Sequence, residues 1–481
     1  MLTEVSALAV SLGFLRWWLG RDKHPNVPHI RPGTDLAKDG PYYVVQSFLE
    51  SHKRELPMHS YPLLETLGGL LKMNLHIIND PVKSKEIFSK SEAVGGHFEL
   101  TGWWQLLAEY RRKTKGRNWE TMTNETLGLM RDHTRSDPKG TKISKLCRRR
   151  LMELASKSNS SQNGWQKWTL RFHGWDRICK YANNALESAV KLDKYKLFFI
   201  NLPTWLRAWI PLRFWPDWVS FQQGLYDDIL DLQEMHNKNW VLGDESDTLL
   251  AILQTDHAQG KMEEWDVINL IQQLCMTGAD TTASVASGIM MTLARFPEKQ
   301  AKLYGILESQ DFRADEFKDC PYLMAVIYEV YRYCPMIYRS LLHSITETTE
   351  IMGETFHKDE LICYSITGTN MNEKYFKDPW KFIPERHLNE PGEFQKSQYQ
   401  TPFNTGKRSC PGQILADIEL FHFMKHFVKH FKFELHPDHP MPVVETEEGW
   451  NNFWTRDPHY APMHHFLQPK ERKFLLVPRD E

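Results

Sequence analysis

The stretch Thr401–Asp417, TPFNTGKRSCPGQILAD, decides the reading of this chain. It places one cysteine, Cys410, between a glycine-containing loop and a run that reads as the start of a helix. A cysteine can be inert core, a nucleophile, a disulfide partner or a metal ligand. Cys410 follows Gly406-Lys407-Arg408-Ser409 rather than an apolar run, which argues against inert core. A helix starting at Ile414 supplies free N–H groups and a positive dipole end, and both favour a sulfur anion. Gly406 and Gly412 let the backbone approach a flat cofactor closely. Arg408 adds a fixed positive charge able to pair with a carboxylate. Nucleophile and ligand both stay open on these residues alone.

The bulk numbers narrow the setting. With 41% apolar and 25% charged residues the chain is an ordinary globular protein, and a net charge of −2 makes no case for a nucleic-acid partner. Seven cysteines without regular spacing argue against a disulfide framework and for a reducing compartment. The 17 tryptophans, some clustered at Trp103-Trp104 and Trp215/Trp218, suit a buried aromatic core, apolar pockets or a membrane surface. At the N-terminus, VSALAVSLGFL (Val5–Leu15) is interrupted by Arg16 before Trp17-Trp18-Leu19. That run is shorter than the ~18 apolar residues of a spanning helix. It predicts a short anchor or interfacial helix over residues 1–25, with Trp17 and Trp18 at headgroup level and Arg16 and Arg21 in water. No small-residue cleavage site stands out before the proline-rich hinge that follows.

Helical periodicity dominates the rest, with no internal repeat and no low-complexity tract. Asp266–Arg295, DVINLIQQLCMTGADTTASVASGIMMTLAR, reads as one helix stopped by Pro297. It would be about 45 Å long and apolar enough to cross the middle of the molecule. A second long helix is predicted over Ile414–Phe431. Strand-like pieces stand at Leu75–Ile78, at Glu360–Gly368 (ELICYSITG) and in the C-terminal KFLLVP. The prediction is a mainly α fold with a minor β portion, one domain over residues 26–481. The aromatic, proline-broken segment Tyr195–Phe221 is either core or an exposed apolar loop touching membrane or substrate.

Phe403–Gly412, FNTGKRSCPG, resembles the haem-binding loop of the cytochrome P450 family: every fixed position of the pattern Phe, two residues, Gly, one residue, Arg, one residue, Cys, one residue, Gly is matched. The resemblance, of the microsomal eukaryotic type, implies haem b between a long distal helix and a proximal helix. It makes Cys410 the axial thiolate and metal ligand, packs Phe403 near the sulfur and sets Arg408 on a propionate, with Gly406 and Gly412 in the same loop. Three further stretches stand in the family's order. EVYR, Glu329–Arg332, could be a surface i,i+3 ion pair worth little, but the resemblance makes it a buried structural triad completed by Arg386 of FIPERH. TGADTT, Thr277–Thr282, collects poor helix formers in mid-helix. It is either a tolerated kink or a local opening; the resemblance has Thr281 face the iron, Asp280 relay protons and Gly278-Ala279 leave room for dioxygen. The run Leu341–His387 is similar to the family's strand-and-meander segment, which implies that His343 contacts a propionate. Nearer the N-terminus, Trp119 fits a propionate-binding tryptophan, but the arginine expected four residues on is Thr123, leaving Arg117 or Arg131 as replacements.

By this resemblance the protein is a monooxygenase inserting one atom of O2 into an apolar small molecule, by hydroxylation or epoxidation. A pocket would draw on Leu274, Gly278, Ala279, Thr282, Met336, Ile337 and Tyr338. No glycine-rich nucleotide fingerprint is present, so electrons must come from outside. The resemblance implies NADPH–cytochrome P450 reductase, at the cytosolic face of the endoplasmic reticulum membrane. Lys407, Lys425 and Lys429, or the basic run Tyr110–Arg117, would offer it positive charge. Three alternatives stand beside this reading. A haem-thiolate isomerase or dehydratase can dispense with the acid–alcohol pair, so Asp280-Thr281 argues against it. A non-catalytic haem-binding member is favoured by Thr123 alone. A zinc site could use His422, His426 and His430, spaced i, i+4, i+8 on one helix face, although no glutamate stands between them and they read as surface residues.

Overall fold

Pro297 marks the boundary that the periodicity predicts: the apolar run is one α-helix over Glu264–Arg295, two residues longer at its start than expected. The structure, a computed structural model, describes residues 24, 26–30, 41–66, 71–90, 94, 96–97, 249–261, 264–309, 317–334, 336–358, 360–406, 409–437, 443, 445–454, 460–463, 466–469 and 474–479. In chain order the helices are α1 (Pro41–Lys53), α2 (Pro81–Lys90), α3 (Leu249–Ala258), α4 (Glu264–Arg295), α5 (Pro297–Ser309), α6 (Pro321–Tyr333), α7 (Ile366–Asn370), α8 (Gln413–His430) and α9 (Glu447–Trp454). The strands are β1 (Met58–Thr66), β2 (Leu71–Ile78), β3 (Gly96–His97), β4 (His343–Ser344), β5 (Thr349–Ile351), β6 (Glu354–Phe356), β7 (Leu361–Tyr364), β8 (Phe431–Leu435), β9 (Tyr460–Met463), β10 (Phe466–Pro469) and β11 (Phe474–Pro478). The chain divides into two compact units, each assembled from separated stretches.

The first unit takes residues 1–98, 337–379 and 399–407. Its sheet runs β1-β2-β7-β4-β3. β1 and β2 form an antiparallel pair with a register shift between Pro62 and Leu64, where the proline cannot donate a ladder bond. β2 pairs with β7 in parallel, and β4 lies antiparallel to both β7 and β3. Met58, Ile78, Phe88, Ile345, Phe356, Ile362 and Tyr364 form one buried cluster against this sheet. The strand expected across Glu360–Gly368 stops at Tyr364. Ser365 turns the chain into α7 by accepting a hydrogen bond from Gly368 N at 3.0 Å, an N-cap that the apolar run conceals.

The second unit takes residues 99–336, 380–398 and 408–481. α6 is its centre: every residue from Tyr322 to Tyr333 is buried. Pro321 at its first turn costs no hydrogen bond there. Trp450 of α9 donates its indole N–H to Tyr333 O at 2.7 Å. Gln300 of α5 receives Phe433 N at 2.8 Å and donates to Leu293 O and Phe433 O, so one amide ties α4, α5 and β8 together. β11 pairs antiparallel with β8, as the C-terminal KFLLVP predicts for a strand. Among the described residues no helix is long and apolar enough to cross a membrane, and the predicted anchor over residues 1–25 lies largely outside them.

Candidate active site

Cys410, in no disulfide and half-buried, stands just ahead of α8. The helix begins at Gln413 with Gly412 as N-cap, and no side chain caps it. Its first N–H groups therefore point at the turn that holds the sulfur, and the dipole adds positive potential there. A Cβ placed on Gly412 would stand 3.9 Å from Cys410 Sγ, so the sulfur's neighbour on that side is bare backbone. Among the described residues the other free cysteines are buried. Burial pushes the thiols of Cys320 up to about 11 and Cys363 up to about 12, and that of Cys334 well above its ordinary value. Those three are core thiols; Cys410 has the partial exposure and the electropositive surroundings that a ligand thiolate needs. A metal-bearing macrocycle set on this sulfur fits the donor chemistry of the site.

A buried charge cluster stands on α6 in the same unit. Glu329 and Arg332 are both fully buried. Arg332 donates Nη2–H to Glu329 Oε1 at 2.7 Å and Nε–H to Oε2 at 2.9 Å. Arg386 Nε–H reaches Oε1 at 3.2 Å, and Ile383 N reaches it at 2.9 Å. The surface-pair reading of EVYR is thereby excluded. His387, which the sequence reading passed over, donates Nε2–H to Oε2 at 3.0 Å and is itself fully buried. The only signal for it was its place beside Arg386. Burial by itself would raise the Glu329 carboxyl, but the Arg332 guanidinium and the His387 bond outweigh it and hold Glu329 at about 2. Arg332 also donates to Lys381 O at 2.9 Å, which anchors the start of the meander after residue 380.

α4 runs through Thr277–Thr282 without a break. Thr281 is half-buried and Thr282 buried. Among the described residues, nothing stands within 4 Å of a Cβ placed on Gly278. Leu274, Ala279 and Asp280 lie on the described helix, but their side chains lie outside the described residues. Farther along, Thr292 and Ser287 bond back to Gly288 O at 2.6 Å and Ala283 O at 2.9 Å, which absorbs their hydroxyls within the helix. Met336 is buried against this helix, its Cε 3.0 Å from where a Gly288 Cβ would sit.

The first unit holds the remaining loop residues. Phe403 is buried. Gly406 has φ +83°, and a Cβ there would collide with Phe88 O at the end of α2. Its glycine is thus demanded by a backbone-on-backbone contact within the unit, a reason separate from the approach of a cofactor. His343 is not a surface residue: it is buried on β4, with its ring edge-on to Phe88 at 4.6 Å. Ile337 packs against the sheet cluster, and the buried Tyr338 lies under the Arg339 guanidinium at 5.8 Å.

Two expectations are corrected on α8. His422 and His426 are buried, not exposed, and among the described residues no group of His, Cys, Asp or Glu could hold a metal ion. Lys425 is likewise buried, at 4% exposure, so it offers no charge to a docking partner, while Lys429 remains half-buried. The cause is that α8 packs around most of its circumference between Asp417 and Val428, leaving these side chains no outer face. Arg408, Lys407, Trp119, Thr123, Arg117 and Arg131 lie outside the described residues, as do the runs Tyr110–Arg117 and Tyr195–Phe221.

Comparison with known proteins agrees with this picture. A cytochrome P450 family profile matches residues 177–460. The chain is 34% identical over 179 residues to rabbit (Oryctolagus cuniculus) cytochrome P450 2C3, covering 36% of this chain and 37% of that protein. It is 26% identical over 293 residues to rat (Rattus norvegicus) cytochrome P450 2C23, covering 58% and 53%. The alignments to these relatives thus span about half of their length or less. A zebra fish cytochrome P450 solved with progesterone matches with a TM-score of 0.70 at 15% identity, over 91% of this chain and 99% of that one, which shows the fold. With a thiol at an uncapped helix start, a long continuous helix through Thr277–Thr282, and a family profile over more than half its residues, the chain belongs to the cytochrome P450 family.

Proposed function

We propose that the protein is a haem-thiolate monooxygenase that oxygenates an apolar small molecule. The observation that carries this is the half-buried Cys410 thiol at the uncapped start of α8, in a chain whose other described cysteines are buried and inert. Haem held by the Cys410 sulfur would supply the activation of O2, with the thiolate donating charge to it. The protein's own part is fourfold. The N–H groups and dipole of α8 stabilise the Cys410 anion. The Glu329–Arg332–Arg386–His387 cluster holds α6 and the meander rigid. Gly278, with no described residue within 4 Å of where a Cβ would stand, would leave room beside α4 for a small ligand. Thr281 and Asp280 would supply protons to the reaction, as the acid–alcohol pairing of the two residue types suggests. Arg408 would hold a haem carboxylate. The electron donor in this reading is an NADPH-dependent flavoprotein reductase, and the setting is the endoplasmic reticulum membrane, reached through the apolar N-terminal run. The test is the absorption spectrum of the reduced protein with carbon monoxide. A strongly red-shifted Soret band is expected, lost in Cys410→Ser; a wild-type protein without that band sinks the reading. Turnover of NADPH with reductase and an added apolar substrate then separates an oxygenase from a haem carrier.

A further inference from the structure

His24 belongs to no helix or strand, yet it is only 2% exposed. Its ring stacks on Phe356 of β6 at 4.5 Å and 25°, and meets His76 of β2 edge-on at 4.5 Å. Two carboxylates flank it. Nε2 stands 3.0 Å from Glu360 Oε2, and Nδ1 stands 3.9 Å from Glu354 Oε2. An ionised carboxylate only accepts, so Nε2 carries a proton and donates it to Glu360. The same Glu360 oxygen accepts His357 N at 2.8 Å, which holds the carboxylate in place. The distance at Nδ1 is longer than a hydrogen bond.

The residues that follow are laced to the sheet through backbone. Val27 N donates to His24 O at 3.1 Å and closes a turn. Ser60 N of β1 donates to Pro28 O at 2.9 Å, and Ile30 N donates to Ser60 O at 2.9 Å. His29 Nδ1 lies 3.1 Å from Ser60 Oγ. Residues 24 and 26–30 thus make a strap across β1, and the His24 ring is the plug at its leading end. Among the described residues, the titratable side chains in contact with that ring are Glu354, Glu360 and His76. His76 is itself held at Leu361 O, 3.3 Å from its Nδ1. His357 and Lys358, in the turn between the two glutamates, are exposed. Two carboxylates set against one ring repel each other unless a cation stands between them. A proton on Nδ1 makes that cation and turns the 3.9 Å approach to Glu354 into a charged pair.

We propose that His24 is a proton-operated latch for this strap: a proton at Nδ1 clamps the segment between Glu354 and Glu360, and its loss leaves Glu360 alone to hold the ring. The apolar N-terminal run comes shortly before His24 in the sequence, so the latch sets how much free chain lies between that run and the sheet. All the groups involved belong to the first unit, and the latch does not depend on the reading of Cys410.

The test is hydrogen exchange followed by mass spectrometry on the full-length protein, at about pH 6 and about pH 8, on either side of the ordinary histidine value. Exchange rates are corrected for the intrinsic effect of pH, and protection is read at the Val27 and Ile30 amides. Wild type is expected to be about threefold to tenfold better protected at the lower pH. His24→Gln keeps an N–H for Glu360 but takes up no proton; Glu354→Gln keeps the Glu360 bond and removes the second charge. Both variants are expected to show the same protection at the two pH values. Equal protection in wild type overturns the proposal. So does a pH difference that survives in His24→Gln, which would assign the effect to His76 or another group. If His24→Gln yields no folded protein, a wild-type pH difference in Glu354→Gln overturns the latch instead.

Discussion

Glu329 shows how much a single buried charge can demand. Its two oxygens accept five hydrogen bonds from Arg332, Arg386, His387 and Ile383 N. Replacing it by glutamine leaves the Arg332 guanidinium buried without its counter-charge, so Glu329→Gln is expected to destabilise the protein by about 3–5 kcal/mol in urea or thermal unfolding. The sign of its pH dependence is fixed by the direction of its shift. A carboxylate held at about 2 in the folded state, against an ordinary 4.5, contributes stability that is fully present above pH 4.5 and is lost as pH falls toward 2. The unfolding free energy of the wild type should fall across that window more steeply than that of Glu329→Gln. Equal slopes would mean that the carboxylate is not held low. The pair of glutamate and arginine was legible from EVYR by its spacing. His387 was not, because a histidine's partner three-dimensionally close but 58 residues away leaves no mark on local pattern.

At the scale of elements, two glycines of similar appearance in sequence have opposite roles. Gly406 has φ +83° and would collide with Phe88 O if it carried a Cβ. Gly406→Ala is expected to cost at least about 1–2 kcal/mol for the left-handed backbone alone, with more from the collision, and to lower the melting temperature. Gly278 sits in a continuous helix with no described residue within 4 Å of its missing Cβ. Gly278→Ala should leave the fold intact and raise thermal stability by up to about 1 kcal/mol, from helix propensity. A drop in stability there would mean that the space beside α4 is filled by protein. The boundaries of α4 and α8 were readable within two residues, because Pro297 and the Pro-Gly before Gln413 are local stop and start signals. The strand over Glu360–Gly368 was over-read for a local reason as well: Ser365 caps a helix only because Gly368 N is free to reach it, and β-rich residues on both sides hide that switch.

Across the whole molecule, acid sensitivity should come in two stages, one from each unit. In the first unit, burial, with Lys374 nearby, holds His52 down to about 4. Burial, with His52 nearby, holds His59 down to about 3. A histidine lowered in the folded state takes its proton in the unfolded chain first, so stability is present above pH 6.5 and declines as pH falls toward those values. His59→Gln should flatten the decline of the unfolding midpoint between pH 6.5 and 4.5; an unchanged slope would assign that window to other groups. Glu329 of the second unit adds its loss below pH 4.5. Asp417, pushed up to about 6 by burial against the bonds of Tyr328 and Tyr331, acts with the opposite sign and gains folded-state stability as pH falls through 6. By itself the sequence determined the family loop, the ligand candidate Cys410, the long helix and the mainly α class, since each is written in local spacing and stop signals. Only the tertiary structure decided which side of α8 faces inward, and so buried His422, Lys425 and His426 and gave Asp417 its two tyrosines. Periodicity tells which side chains share a helix face; what covers that face is set by α4, α5 and α6, far away in sequence, through packing that no local pattern encodes.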